Sequence, residues 1–82
     1  MRRYFFDTFD DEKIISDDEG LELASFDLVK REATATLGEL ARDLLPSSDR
    51  RSLAVKVRDE KNRSILVAEL KFEARAYLHL VD

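Results

Sequence analysis

A single amphipathic segment in the middle of the chain most constrains the fold. Between Ser25 and Pro46, apolar residues recur every three or four positions, which predicts a helix of about five turns with one apolar stripe. The stripe comprises Phe26, Val29, Ala33, Leu37, Leu40 and Leu44. Ser25 suits the N-cap position, and Pro46 cannot continue a helix. Gly38 lies inside the helix, where a glycine costs ~1 kcal/mol relative to alanine. Because glycine has no side chain, its presence there predicts a close approach between helix and sheet.

The segment before the helix is of β type. Residues 3–9 are rich in aromatic side chains and end at an Asp-Asp pair, which predicts a strand and a turn. Residues 13–16 form a second, shorter β-type run, which ends in the acidic turn 17–20, where Gly20 can supply a positive φ angle. We therefore expect an N-terminal hairpin, followed by a lead-in of four residues to the helix.

The segment after the helix also predicts two strands. Residues 52–58 alternate strictly, with Leu53, Val55 and Val57 on one face, and residues 65–73 follow a polar turn. In the last strand, Leu66, Ala68, Leu70 and Phe72 share one side. The predicted fold is α+β with the order β-β-α-β-β: a four-stranded antiparallel sheet with one long helix packed on one face.

An 82-residue chain can hold one domain, so residues 1–82 are expected to form a single unit. The alternation continues through residues 74–80, yet the same residues also fit helical spacing. Residues 74–82 are therefore an extended tail, an extra strand or a helix, and the pattern favours the extended form.

One helix covers only one face of a sheet, which leaves large apolar side chains on the other. In the first strand Tyr4 and Phe6 lie on one side, whereas Phe5 and Phe9 lie on the other. The candidate interface residues are Tyr4, Phe5, Phe9, Ile15, Ile65 and Val67. Apolar patches of this kind mark interfaces, so we expect a homodimer through the sheet face or an edge strand, and a protein partner. The alternative is that loops or the tail cover the patch.

Catalytic and metal chemistry find little support in the sequence. The acidic run between residues 7 and 19 lacks the spacing of a Ca²⁺ loop, and acidic residues are common in turns. His79 is the one histidine, and no serine lies in a nucleophile motif. The chain has no cysteine. We expect no catalytic residues, no cofactor and no metal site.

Nucleic-acid binding is the alternative function. Basic residues are concentrated after the helix, and Lys56 and Arg58 project beside the aromatic side chains of the first strand, an arrangement that can stack bases. The net charge of −4 opposes phosphate binding, so nucleic acid is the less favoured partner. No apolar stretch is long enough for a membrane span or forms a secretory signal, so we expect a cytoplasmic protein without membrane contact.

Several separated motifs resemble a family of short bacterial proteins of unknown function. They are the opening Arg3-Tyr4-Phe5-Phe6-Asp7, the turn 17–20, and the segments 30–33, 39–43 and 53–60. The resemblance extends to about residue 73 and implies a small stand-alone domain without an assigned activity. A looser similarity, at the level of fold only, is to antitoxins of the HicB type, which place a hairpin and an acidic turn before a helix.

Overall fold

The computed structural model describes residues 1–77 and residue 80. The apolar stripe forms helix α1, which spans Phe26–Leu44. Its N-terminus is capped as predicted, because the Ser25 hydroxyl accepts a hydrogen bond of 3.2 Å from the backbone N–H of Leu28. A short 3₁₀ turn, Leu45–Ser47, contains Pro46 and follows directly.

The sheet contains five antiparallel strands, one more than predicted. They are β1 (Arg2–Asp10), β2 (Lys13–Ile15), β3 (Leu21–Leu23), β4 (Arg50–Asp59) and β5 (Ser64–Glu73). On one side β1 pairs with β4, and β4 pairs with β5. On its other side β1 pairs with both β2 and β3, at opposite ends of its length. The additional strand is β3, where the sequence predicted only a connection to the helix.

The core lies between α1 and one face of β4. Val29 and Ala33 of the helix and Leu53, Val55 and Val57 of β4 are buried. Fully burying each of the valine and leucine side chains contributes roughly 1.5–3 kcal/mol. The predicted alternation in β4 is therefore confirmed.

The predicted close approach at Gly38 is wrong. A Cβ atom built on Gly38 would have no neighbour within 4 Å, so this glycine faces open space. The helix contacts the sheet through the apolar stripe of its side chains, and Gly38 does not lie in that stripe.

A β-bulge shifts the placement of Ile65. Val57 pairs with Leu66, but the next residue of β4, Arg58, pairs with Ser64, so Ile65 is the extra residue. Ile65 and Leu66 both pack against the core, although strict alternation predicts that they face opposite sides.

Strand β5 ends at Glu73, and residues 74–77 form no regular secondary structure. The strand therefore does not continue through residues 74–77. The predictions for residues 78, 79, 81 and 82, including His79, lie outside the described residues. Within residues 1–77 and 80, no helix is both long enough and apolar enough to cross a membrane.

Candidate interaction surface

The face of the sheet away from α1, called the open face below, carries alternating charged and apolar side chains. Its central strands contribute Phe5, Asp7 and Phe9 from β1 and Ala54, Lys56 and Arg58 from β4, and β5 adds Val67, Glu69 and Lys71. The sequence predicted that Phe5 and Phe9 share one side of β1 and that Lys56 and Arg58 project beside the aromatic side chains of that strand, and the strand register confirms both. Which side of β1 faces away from the helix was not predicted.

Two cations lie over the two aromatic rings of the open face. The Arg58 guanidinium carbon is 4.6 Å from the centroid of the Phe5 ring, and the Lys56 ammonium is 4.5 Å from the centroid of the Phe9 ring. Contacts of this kind stabilise by roughly 0.5–1 kcal/mol at exposed sites. Because both rings are partly covered within the protomer, they do not form a continuous apolar patch.

Arg58 is held in place by two acidic residues. Its Nε lies 3.0 Å from Asp7 Oδ2, and the Arg58 and Asp7 side chains are only 27% and 16% exposed. A terminal nitrogen of the same guanidinium donates a 2.7 Å hydrogen bond to the backbone carbonyl of Asp17. The Arg58 charge is therefore used inside the protomer.

Asp17 closes a gap in the hydrogen bonding along the outer edge of β1. Strand β3 pairs with residues 2–4 and β2 pairs with residues 8–10, so the middle of this edge has no strand partner. There Asp17 Oδ2 accepts a 3.0 Å hydrogen bond from the backbone N–H of Phe6, as a neighbouring strand would. The Asp17 backbone N–H in turn donates to Asp7 Oδ1 at 2.9 Å.

The same carboxylate also organises its own turn. Asp17 Oδ1 accepts hydrogen bonds from the backbone N–H groups of Glu19 and Gly20, at 3.0 and 3.1 Å. Burial raises the pKa of Asp17, but the backbone hydrogen bonds from Phe6, Gly20 and Glu19, together with Arg58, lower it below its usual value. Asp17 is thus held as an acceptor of three backbone donors.

Gly20 allows this turn to lie flat against β1. Its φ angle is +76°, a conformation that favours glycine. A Cβ atom at this position would lie 2.8 Å from Arg3 Cγ and 2.9 Å from Phe5 Cε1. The glycine predicted for a positive φ angle is therefore also required for close packing.

The opposite edge of the sheet, along β5, is open. Among the described residues, no strand pairs with the outer side of β5. The backbone N–H of Ala74 donates a 2.7 Å hydrogen bond to the carbonyl of Asp49. Because every second residue of an antiparallel pair is hydrogen-bonded, the β4–β5 register means that the even-numbered residues of β5 from 66 to 72 bond to β4. The N–H and C=O groups of residues 67, 69, 71 and 73 therefore point outward, away from β4.

A shallow cleft of about 740 Å³ opens beside the N-terminus of α1. Tyr4, Phe26 and Ile65 supply its apolar surface, and charged residues of both signs surround it. One of these, Arg63, donates from Nε to Asp59 Oδ2 at 2.8 Å. The cleft thus has apolar walls and a rim of mixed charge.

The acidic residues of the turn are used for hydrogen bonding. In the part of the chain that the structure describes, no group of three or more His, Cys, Asp or Glu residues is arranged to hold a metal ion. Asp7 and Asp17 instead accept hydrogen bonds from backbone N–H groups and from Arg58.

The six candidate interface residues do not form one surface. Phe5, Phe9 and Val67 lie on the open face, and Val67 is 50% exposed. Tyr4 and Ile65 instead pack against the core, and Ile15 lies at the far edge on the helix side, 59% exposed. The sequence predicted an edge strand as an interface without identifying β5, and it gave no indication of the edge contact of Asp17. The proline-free alternation of β5 and the Asp-x-x-Gly turn are the sequence signals nearest to these two features.

The sequence profile of a family described as a domain of unknown function, DUF6894, matches residues 3–71. The match begins in β1 and ends within β5, so it includes the Asp17 turn, the helix and most of the open face. No curated protein and no solved structure gave a significant match.

Proposed function

We propose that this chain, which belongs to the DUF6894 family, is a small non-enzymatic interaction module that self-associates through the free edge of β5. The observation that carries this proposal is the row of outward backbone groups at residues 67, 69, 71 and 73. Its expected compartment is the cytoplasm.

The edge of β5 is a better interface than the open face. On the open face, Arg58 and Lys56 cover the two phenyl rings, and Arg58 is paired with Asp7. A partner docking there would have to displace or desolvate these charges. The edge of β5 needs no such rearrangement, since its donors and acceptors already point to solvent.

The length and composition of β5 also favour pairing. The strand has 10 residues and contains no proline, and an exposed strand of this kind is a template for another strand. Its helix-side residues Leu66, Ala68 and Leu70 are only partly buried. A second copy continuing the sheet would cover more of this apolar row, and a homodimer is the commonest symmetric assembly.

Amide hydrogen exchange tests the proposal most directly. At high protein concentration we expect slow exchange at residues 67, 69, 71 and 73, because the dimer hydrogen bonds use their N–H groups. On dilution these four amides should become fast, whereas residues 66, 68, 70 and 72, which bond to β4, stay protected and act as the internal control. Equally fast exchange of the four outward amides at all concentrations up to about 1 mM would reject the proposal, because that limit corresponds to binding weaker than about 4 kcal/mol.

A proline variant provides a second test. Lys71→Pro removes an outward donor without removing a β4 hydrogen bond, so the fold should survive while the dimer is lost. Lys71→Arg is the matched control and should remain dimeric. Light scattering after size exclusion gives the mass, and circular dichroism checks that both variants fold. A dimeric, folded Lys71→Pro variant contradicts the use of this edge.

Regulatory nucleic-acid association, or an antitoxin-like role, is the second candidate function. The observation that favours it is the pair of ring–cation stacks on one sheet face, which resembles a surface for base stacking. Titration of labelled single- and double-stranded oligonucleotides at low salt tests it, with Phe9→Ser and Lys56→Glu as variants expected to weaken binding. No change in signal with wild-type protein would reject this function.

A further inference from the structure

We propose that two copies pair β5 with β5 in antiparallel register with Leu70 on the twofold axis. In this register Glu69 of each copy faces Lys71 of the other. The inference rests on the proposed self-association and adds to it a specific register and the charges that select it.

Geometry limits the registers available to a symmetric strand pair. Directly opposite residues of antiparallel strands point to the same face of the sheet, and a twofold axis perpendicular to the sheet preserves its faces. The axis must therefore pass through a residue, because an axis between two residues would pair side chains that point to opposite faces. Each residue of β5 therefore defines one possible register, in which that residue lies on the twofold axis.

Charge eliminates the neighbouring registers. With Glu69 on the axis, two Glu69 side chains would face each other, and with Lys71 on the axis, two Lys71 side chains would do so. The latter register also places Glu69 opposite Glu73. Like charges directly opposite on a strand pair are destabilising.

The more distant registers lose either complementarity or length. With Ala68 on the axis, Glu69 faces Val67 and gains no partner charge. With Phe72 on the axis, Lys71 faces Glu73, but the ladder uses only residues 71–73 of β5. The Leu70 register uses residues 67–73 and places two Glu69–Lys71 pairs, one on each side of the axis.

The two charged residues are free to make these pairs. Glu69 and Lys71 are both exposed on the open face, and neither forms an ion pair with any residue within 1–77 or with residue 80. By contrast, Glu73 already contacts Arg50 and Arg75. Residues 69 and 71 are also outward backbone positions, so each Glu69–Lys71 pair would exchange two backbone hydrogen bonds.

The helix side of the sheet fits the same register. There Leu70 would face Leu70 of the second copy, and Ala68 would face Phe72. On each side of the leucine pair, a small alanine thus faces a large phenylalanine, and none of these helix-side residues is charged. The apolar row of each protomer would continue into that of its partner.

Charge reversal tests the register. Glu69→Lys alone and Lys71→Glu alone should each weaken the dimer about tenfold or more, because both symmetry-related pairs become repulsive. The double variant Glu69→Lys/Lys71→Glu should return to within about threefold of wild type. Glu39→Lys and Lys30→Glu, at exposed positions of α1, are the charge-matched controls and should leave the dissociation constant unchanged. Sedimentation equilibrium at low salt measures it.

Single cysteines give a direct readout of the axis, since the chain has no cysteine of its own. A cysteine crosslinks to its own copy only when it lies at the twofold axis, so Leu70→Cys should form a disulfide dimer rapidly. Cysteines at the four neighbouring positions should not, and these variants are Ala68→Cys, Glu69→Cys, Lys71→Cys and Phe72→Cys. Crosslinking at another position, or no rescue by the double charge reversal, overturns the register while the dimer itself stands. A wild-type protein that is monomeric by sedimentation overturns the proposed function, and the register with it.

Discussion

The two outer edges of the sheet end in different ways. On the β1 side, the sheet ends in two separate three-residue strands, and between them the carboxylate of Asp17 accepts the outward N–H of Phe6, so the long edge of β1 is covered by the chain itself. On the β5 side, the described residues supply no partner along a strand of 10 residues. A protein that closes one edge with a dedicated turn and leaves the other open controls where a second strand can add.

Removing the closure of the β1 edge should have the largest effect. Asp17→Ala leaves the N–H groups of Phe6, Glu19 and Gly20 without their acceptor, and we expect a loss of about 3 kcal/mol in the free energy of unfolding. Urea denaturation measures it. Asp18→Ala, at the exposed neighbouring position, is the control and should change stability by less than about 0.5 kcal/mol. Equal effects of the two variants would show that Asp17 does not close this edge.

Gly20→Ala attacks the same closure through sterics. The added methyl group would lie against Arg3 and the Phe5 ring, and the backbone would keep a positive φ angle. We expect a loss of about 2 kcal/mol by urea denaturation. An alanine tolerated at this position would mean that the turn does not pack on β1 as described.

Gly38→Ala should act in the opposite direction. This glycine lies in the helix interior and faces open space, so alanine removes backbone entropy from the unfolded chain without a clash. We expect a gain of about 1 kcal/mol in the free energy of unfolding. The two glycine variants are measured side by side, and effects of the same sign would contradict the contrast between them.

Acid should weaken the closed edge through protonation of Asp17. Because folding lowers the pKa of Asp17, its ionised form stabilises the fold above the pKa of an unfolded aspartate, about 4, and this contribution is lost as the pH falls through the lower folded value. The pKa of Asp59 is lowered in the same direction, chiefly by the backbone N–H of Arg63. As the pH is lowered from 7 to about 2.5, a range that includes the pKa values of aspartates, the free energy of unfolding should fall less steeply for Asp17→Ala than for wild type. Parallel curves would contradict this role.

The smallest effect is expected at the open edge. Lys71→Ala removes an exposed side chain without an ion pair in the described part of the protomer, so monomer stability should change by less than about 0.5 kcal/mol. Urea denaturation at low micromolar concentration isolates the monomer. A loss as large as that of Asp17→Ala would mean that this edge is not open in the protomer.

The elements with a repeating pattern could be predicted from the sequence. The helix was predicted from its stripe, its cap and Pro46, and the alternation of residues 52–58 predicted the buried face of β4. Strand β3 was not predicted, because three residues are too few for a period to be visible and its partner, residues 2–4, lies far along the chain.

The contacts of the candidate site were harder to predict for a related reason. The turn 17–20 indicated a positive φ angle at Gly20, which is confirmed, but nothing local indicates that Asp17 bonds to Phe6 or that Arg58 reaches Asp17. The Arg58 contact depends on the register of β1 against β4, and the Asp17–Phe6 bond depends on how β2 and β3 pair with the other edge of β1. A register is set by the whole sheet. The bulge at Ile65 reversed the side of one predicted interface residue for the same reason.

The central position of β1 has a consequence for a chain emerging from the ribosome. The longest partner of β1 is β4. Residues 53–59 of β4, which pair with β1, are synthesised after every other residue that pairs with β1. Until then the aromatic strand has only two three-residue neighbours, and Arg58 is not yet present to fasten the Asp17 turn. The sheet can therefore be completed only when the second half of the chain has been made, and until then the aromatic side chains of β1 lack their main neighbouring strand.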